Sequence, residues 1–101
     1  MLKHVKISFS YSAVSDLENV LEFYKKQKVP HVGERLVRKI FKDIELLSEQ
    51  PGIGRIVPEF NLKYLQELIR PPFRIVYRWE INKIRIVRVW RSERLLIFPE
   101  D

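Results

Sequence analysis

The apolar positions along this chain change period as the sequence is read, and each change marks a structural element. Val5, Ile7 and Phe9 alternate with Lys6 and Ser8, which predicts a short strand. Val14, Leu17, Val20, Leu21 and Tyr24 then recur at helical spacing. They predict a helix from about Ala13 to about Gln27, capped by Ser10 or Ser12 and broken by Pro30. Leu36, Val37, Ile40, Ile44 and Leu47 form a second helical stripe, with Arg35, Arg38, Lys39, Lys42, Asp43 and Glu45 between them. That helix ends near Ser48, before Pro51, so the two helices form a hairpin.

Beyond Pro51 the period falls to two. Phe73, Ile75, Tyr77, Trp79 and Ile81 occupy one face of a strand, and Arg74, Val76, Arg78 and Glu80 the other. Residues 84–90 make its partner strand. Taking Asn82-Lys83 as the turn sets a register in which Ile81 faces Ile84, Trp79 faces Ile86, Tyr77 faces Arg88 and Ile75 faces Trp90 on the core side. On the opposite side Glu80 faces Arg85, Val76 faces Val89 and Arg74 faces Arg91. Like charges directly opposite repel. Arg74 and Arg91, with Arg70 and Arg94 nearby in sequence and Arg55 after the glycine turn, therefore make a candidate anion site. Alternatively, Glu67 and Glu93 neutralise these arginines. In this register Arg74→Ala and Arg91→Ala each cost little stability, because each relieves repulsion. The expected fold is α+β: an N-terminal strand, a two-helix hairpin and a mostly antiparallel sheet, in one domain over residues 1–101.

Composition narrows the chemistry. The net charge is +6, which favours an anionic partner such as nucleic acid, ribosome or an acidic protein. There is no cysteine, hence no disulfide, thiol nucleophile or thiolate metal site. The two histidines, His4 and His31, are far apart and read as exposed polar residues rather than catalysts. No carboxylate cluster suggests a metal, and three glycines (Gly33, Gly52, Gly54) spell no phosphate-binding loop, so no cofactor is expected. No apolar run approaches the roughly 18 residues that span a bilayer. The start, MLKHVKISFSYS, lacks a signal peptide's apolar stretch, so a cytoplasmic location without membrane contact is expected.

Three segments carry a family resemblance. Pro51-Gly52-Ile53-Gly54-Arg55, Phe73-Arg74-Ile75-Val76-Tyr77-Arg78 and Val89-Trp90-Arg91-Ser92-Glu93-Arg94 occur in an order that resembles the ParE/RelE toxins of type II toxin–antitoxin pairs. The resemblance implies a growth-inhibiting toxin held silent by an antitoxin in a hetero-oligomer. Two activities share that fold. ParE-like members bind DNA gyrase and block replication; RelE-like members cut mRNA on the ribosome without a metal. The RelE-like chemistry needs a base, an acid and cations for the phosphorane. Arg74 matches the family's strand arginine, and Arg91 or Arg94 could stand in for a later one. Gln66 and Leu68 stand where lysines are wanted, and Phe98 stands where a tyrosine would transfer a proton. Arginine stays protonated and is a poor base. The gyrase reading is therefore favoured, with Arg74 and Arg91 catalytic only if the chain is a nuclease. The resemblance also implies an acidic, partly helical antitoxin, with Tyr24, Phe41, Phe60 and Tyr64 as its docking residues or else as core. The apolar tail Leu95-Leu96-Ile97-Phe98 is either a terminal strand or a contact for target or antitoxin.

Overall fold

The computed structural model describes residues 5–91. Strand β1 (Lys6–Phe9) leads into helix α1 (Tyr11–Lys26) and helix α2 (Pro30–Glu49). A single 3-10 turn, Pro51–Ile53, then precedes β2 (Arg55–Ile56), β3 (Leu65–Arg70), β4 (Phe73–Glu80) and β5 (Lys83–Arg91). The five strands form one sheet in the order β1-β5-β4-β3-β2, antiparallel except where β1 runs parallel to β5.

Each boundary has a local cause. Ser10 caps α1: its hydroxyl accepts from the Ala13 N–H and donates to the Val87 carbonyl. Pro30, expected to end the first helix, opens the second at its first turn, where a missing N–H costs nothing. Between them Lys28 takes a left-handed conformation. Gly33 lies against α1; a Cβ there would sit 3.1 Å from the Tyr24 Cβ, so its absence lets the helices approach closely.

Both helices cover one face of the sheet. Ala13, Leu17 and Val20 from α1 and Ile40, Ile44 and Leu47 from α2 pack on Leu68, Phe73, Ile75, Tyr77, Ile84, Ile86 and Val89. Burying side chains of this size contributes about 1.5–3 kcal/mol each. The core thus follows the helical stripes and the Phe73-Ile75-Tyr77 face as expected. Val14 and Leu21, at the edge of the first stripe, remain exposed.

The β4–β5 register departs from expectation. The turn residues are Ile81 and Asn82, not Asn82 and Lys83, because Asn82 takes the left-handed conformation (φ 62°) at the second turn position. Ile81 is therefore 88% exposed in the turn rather than in the core. Trp79 pairs with Ile84 and Tyr77 with Ile86. The register then slips: Val76 pairs with Arg88, so Val87 is an extra residue, a β-bulge. Beyond it Ile75 faces Val89, Arg74 faces Trp90 and Phe73 faces Arg91. A one-residue slip exchanges faces. Arg91 thus falls in the Phe73 row on the helix side, whereas Arg74 points to the other side, and the expected Arg74–Arg91 opposition does not exist. The bulge is held from the side: the Ser10 N–H donates to Ile86 and its hydroxyl to Val87.

Candidate functional site

The sheet face opposite the helices carries a buried chain of charges. Glu67 lies directly opposite Arg55 in the β2–β3 ladder and diagonal to Arg74 on β4. It is 1% exposed. Its Oε2 accepts from Arg55 Nε at 2.8 Å, and its Oε1 accepts from Arg74 Nε and Nη2. Arg74, 6% exposed, turns the other edge of its guanidinium to Glu59, which accepts Nη1 and Nη2 at 3.0 Å each. The sequence of charges is Arg55, Glu67, Arg74, Glu59, with no net charge.

Burial of a lone carboxylate or guanidinium would cost several kcal/mol, and this alternation offsets that cost. The Glu59 hydrogen bond raises the Arg74 pKa above its ordinary value, with Glu67 adding to the effect and burial opposing it. The same bond to Arg74 holds the Glu59 carboxyl below its ordinary range. Glu59 lies between β2 and β3, so the ion pair also ties residues 57–64 over the sheet, where Val57 and Val76 are buried.

Beside this chain sits the Pro51–Gly54 turn. The Tyr77 hydroxyl accepts from the Gly54 N–H at 3.1 Å and lies 2.9 Å from the Pro51 carbonyl and 3.0 Å from Gln66 Oε1. Burial pushes the Tyr77 pKa up. A Cβ on Gly54 would lie 2.6 Å from the Glu67 carbonyl oxygen and closer still to the Tyr77 hydroxyl, so only glycine fits.

The helix side holds a different set. Arg70, Phe73 and Arg91 form one row across β3, β4 and β5. Arg91 Nη1 donates to the Tyr24 hydroxyl at 3.2 Å, and its guanidinium lies over the rings of Phe73 (5.6 Å) and Phe23 (6.0 Å). Arg70 pairs with Asp43 of α2 at 3.3 Å.

Of the five arginines singled out from the sequence, the four described ones do not converge on one site. Arg55 and Arg74 share Glu67; Arg70 and Arg91 flank Phe73 on the helix side; Arg94 lies outside the described residues, as do Glu93, His4 and the tail from Leu95 to Phe98. Glu67 does neutralise two of them. Glu59 escaped notice because nothing local marks a carboxylate in a loop as the partner of a strand arginine. Of the aromatic residues, Phe41, Phe60 and Tyr64 are about half-exposed, and Tyr24 is partly buried beneath Arg91. Phe41 meets Phe9 at 5.7 Å beside an open groove of about 640 Å³ between β1 and α2. Among the described residues no group of three His, Asp or Glu could hold a metal, and no helix is long and apolar enough to cross a membrane.

Known proteins share this architecture. The profile of a family described as "ParE toxin of type II toxin-antitoxin system, parDE" matches residues 7–96. No curated protein sequence matches. Among solved structures, the chain is similar to one in the chromosomal ParDE system of P. aeruginosa, at 22% identity and a TM-score of 0.73, covering 87% of this chain and 96% of that one. It is also similar to a chain of the RelBE2 toxin–antitoxin complex of Mycobacterium tuberculosis, at 21% identity and a TM-score of 0.62, covering 88% and 99%. A chain of the E. coli DinJ-YafQ toxin–antitoxin complex matches at 12% identity and a TM-score of 0.57, covering 92% and 98%.

Proposed function

This chain belongs to the ParE toxin family of type II toxin–antitoxin systems, and from that premise we propose that it arrests growth by binding DNA gyrase and blocking replication, not by cutting mRNA. The observation that carries the proposal is the state of Arg74. A nuclease would need that guanidinium free to meet the phosphorane charge. Here it is buried and held by two carboxylates. Arg91, the other candidate for catalysis, stands on the opposite side of the sheet, so the two cannot flank one phosphate. The Tyr77 hydroxyl is buried, hydrogen-bonded and harder than usual to ionise, which suits a structural role.

Arg74 then acts as a brace, holding residues 57–64 so that Phe60 and Tyr64 face outward. Arg55, Arg70 and Arg91, together with Arg94, remain the basic residues proposed to meet the target. A toxin of a type II pair has an antitoxin partner. The structures it resembles are themselves toxin–antitoxin systems. An acidic, partly helical antitoxin suits the excess positive charge, with Phe41, Tyr24, Phe60 and Tyr64 as the apolar residues offered to it.

The test is pulse labelling after induction without antitoxin, following thymidine and methionine incorporation in one culture. Thymidine incorporation is expected to fall first, and the purified chain is expected to inhibit gyrase supercoiling in vitro. An earlier fall in methionine incorporation, with cleaved mRNA, would overturn the gyrase reading in favour of a ribosome-dependent nuclease.

A further inference from the structure

The observed register brings together a second group of cations on the face opposite the helices. Arg78 on β4 stands directly opposite Arg85 on β5. Lys83 lies two residues before Arg85 on the same face, and the parallel neighbour β1 sets Lys6 beside Lys83 and Ser8 beside Arg85. Among the described residues Glu80 is the one carboxylate paired within the group, shared by Arg78 at 3.3 Å and Lys83 at 3.4 Å. Arg85 meets the Ser8 hydroxyl, at 3.2 Å, and no carboxylate among the described residues. Four cations against one carboxylate leave three positive charges in excess, whereas the neighbouring Arg55–Glu67–Arg74–Glu59 chain is neutral.

Directly opposed side chains on antiparallel strands have Cβ atoms about 5 Å apart, and like charges there destabilise the sheet. An anion bound between Arg78 and Arg85 removes that repulsion. All four cations are exposed, and the single Glu80 carboxylate balances only one of their charges.

We propose that this face, built on Arg78, Arg85, Lys83, Lys6 and Ser8, binds the sugar-phosphate backbone of a nucleic acid. The two guanidiniums present planar forks that match the paired oxygens of a phosphate or a carboxylate alike. Two further features favour phosphates over the carboxylates of an acidic protein. The Ser8 hydroxyl beside Arg85 is a second phosphate-binding group of the type that recurs in backbone contacts. The cations form two rows about 7 Å apart on a sheet surface, two residues along the strands, which suits a linear array of charges. Tyr64, whose ring lies 5.2 Å from the Arg78 guanidinium, borders the rows with an exposed aromatic surface. Contacts of this kind are made to phosphates, so the binding is independent of sequence and sensitive to salt. The inference does not depend on gyrase being the target.

The test measures binding of the full chain to a short fluorescein-labelled DNA duplex of mixed sequence by anisotropy, over about 50 to 200 mM salt. Each lost phosphate contact lowers the slope of log affinity against log salt by about 0.9. Arg78→Gln with Arg85→Gln is expected to reduce the slope by about 2 and to weaken binding at low salt about tenfold or more. Lys25→Gln with Lys26→Gln, in the exposed last turn of α1, removes the same charge elsewhere and is expected to leave the slope unchanged. Equal effects of the two double variants would overturn the site, because net charge alone would then explain binding. So would an unchanged slope in the arginine variant. Absence of duplex binding, with polyglutamate captured instead and released by the arginine variant, would assign the face to an acidic protein and overturn the proposal.

Discussion

Replacing Arg74 by alanine tests the charge network most directly. An exposed arginine repelled by Arg91 would be removed at almost no cost. The buried Arg74 is different: its loss leaves Glu67, 1% exposed, with Arg55 alone, and releases the tether to Glu59. Breaking a buried ion pair by removing one partner costs about 3–5 kcal/mol. Because Arg55 still reaches Glu67, the lower end applies, about 3 kcal/mol. That is a large share of a stability on the order of 5–15 kcal/mol. At about 4–8 °C per kcal/mol for a domain of this size, the midpoint falls by roughly 12–24 °C. Guanidinium chloride unfolding of the full chain, followed through the fluorescence of Trp79 and Trp90, measures the cost. A second variant makes the test specific. Glu67→Gln keeps the shape and removes the charge that Arg74 was balancing, so the Arg74→Ala/Glu67→Gln double variant should cost about 1–2 kcal/mol less than the sum of the singles. A cost below about 1 kcal/mol for Arg74→Ala, or strict additivity in the double variant, would refute the account.

Three further outcomes follow from the same geometry. Gly54→Ala should cost about 1–3 kcal/mol in denaturant unfolding, since its Cβ would press on the Glu67 carbonyl and the Tyr77 hydroxyl and neither can move freely. Asp16→Ala removes the carboxylate that accepts both Arg88 and the Val89 N–H at 2.8 Å; a loss of about 1–3 kcal/mol and faster hydrogen exchange at the Val89 amide are expected. Glu59 has a folded pKa below its ordinary value of about 4.5, so its stabilisation is complete above that value and is lost as pH falls through the depressed one. Stability measured across this acid range should therefore fall more steeply in the natural chain than in Glu59→Gln; parallel profiles would contradict the role given to the Arg74 bond.

Much of the fold was legible because local chemistry and long-range packing agree. Ser10, Pro30 and Pro51 punctuate the helices, and the Phe73-Ile75-Tyr77 alternation identifies the core face of β4. The register of β5 was not legible from strict alternation. Its apolar residues keep one phase through Ile84 and Ile86 and another through Val87 and Val89; the adjacent pair Ile86-Val87 is the trace of the slip. The turn also misled, because Asn82 supplies the left-handed residue at the second turn position as well as it would at the first. The candidate site suffered most. Arg74 was identified as important from its strand position, but its burial depends on Glu59 arriving from the loop, a tertiary event with no periodic signature. The Arg78–Arg85 opposition became visible only once the turn was correctly placed.

The extra residue at Val87 also governs how this chain should be compared with its relatives. A gapless alignment of β5 against a strand without the bulge matches residue types while exchanging sides for every position on one flank of it. An arginine in the column of Arg91 would then belong to the helix side in one protein and to the open side in the other. Identity in that column would carry no shared role. The anchor for a sound comparison is the serine that begins α1, whose hydroxyl grips the slipped carbonyl: where that grip is present, columns after the bulge can be equated, and where it is missing, the parity of the strand has to be established first.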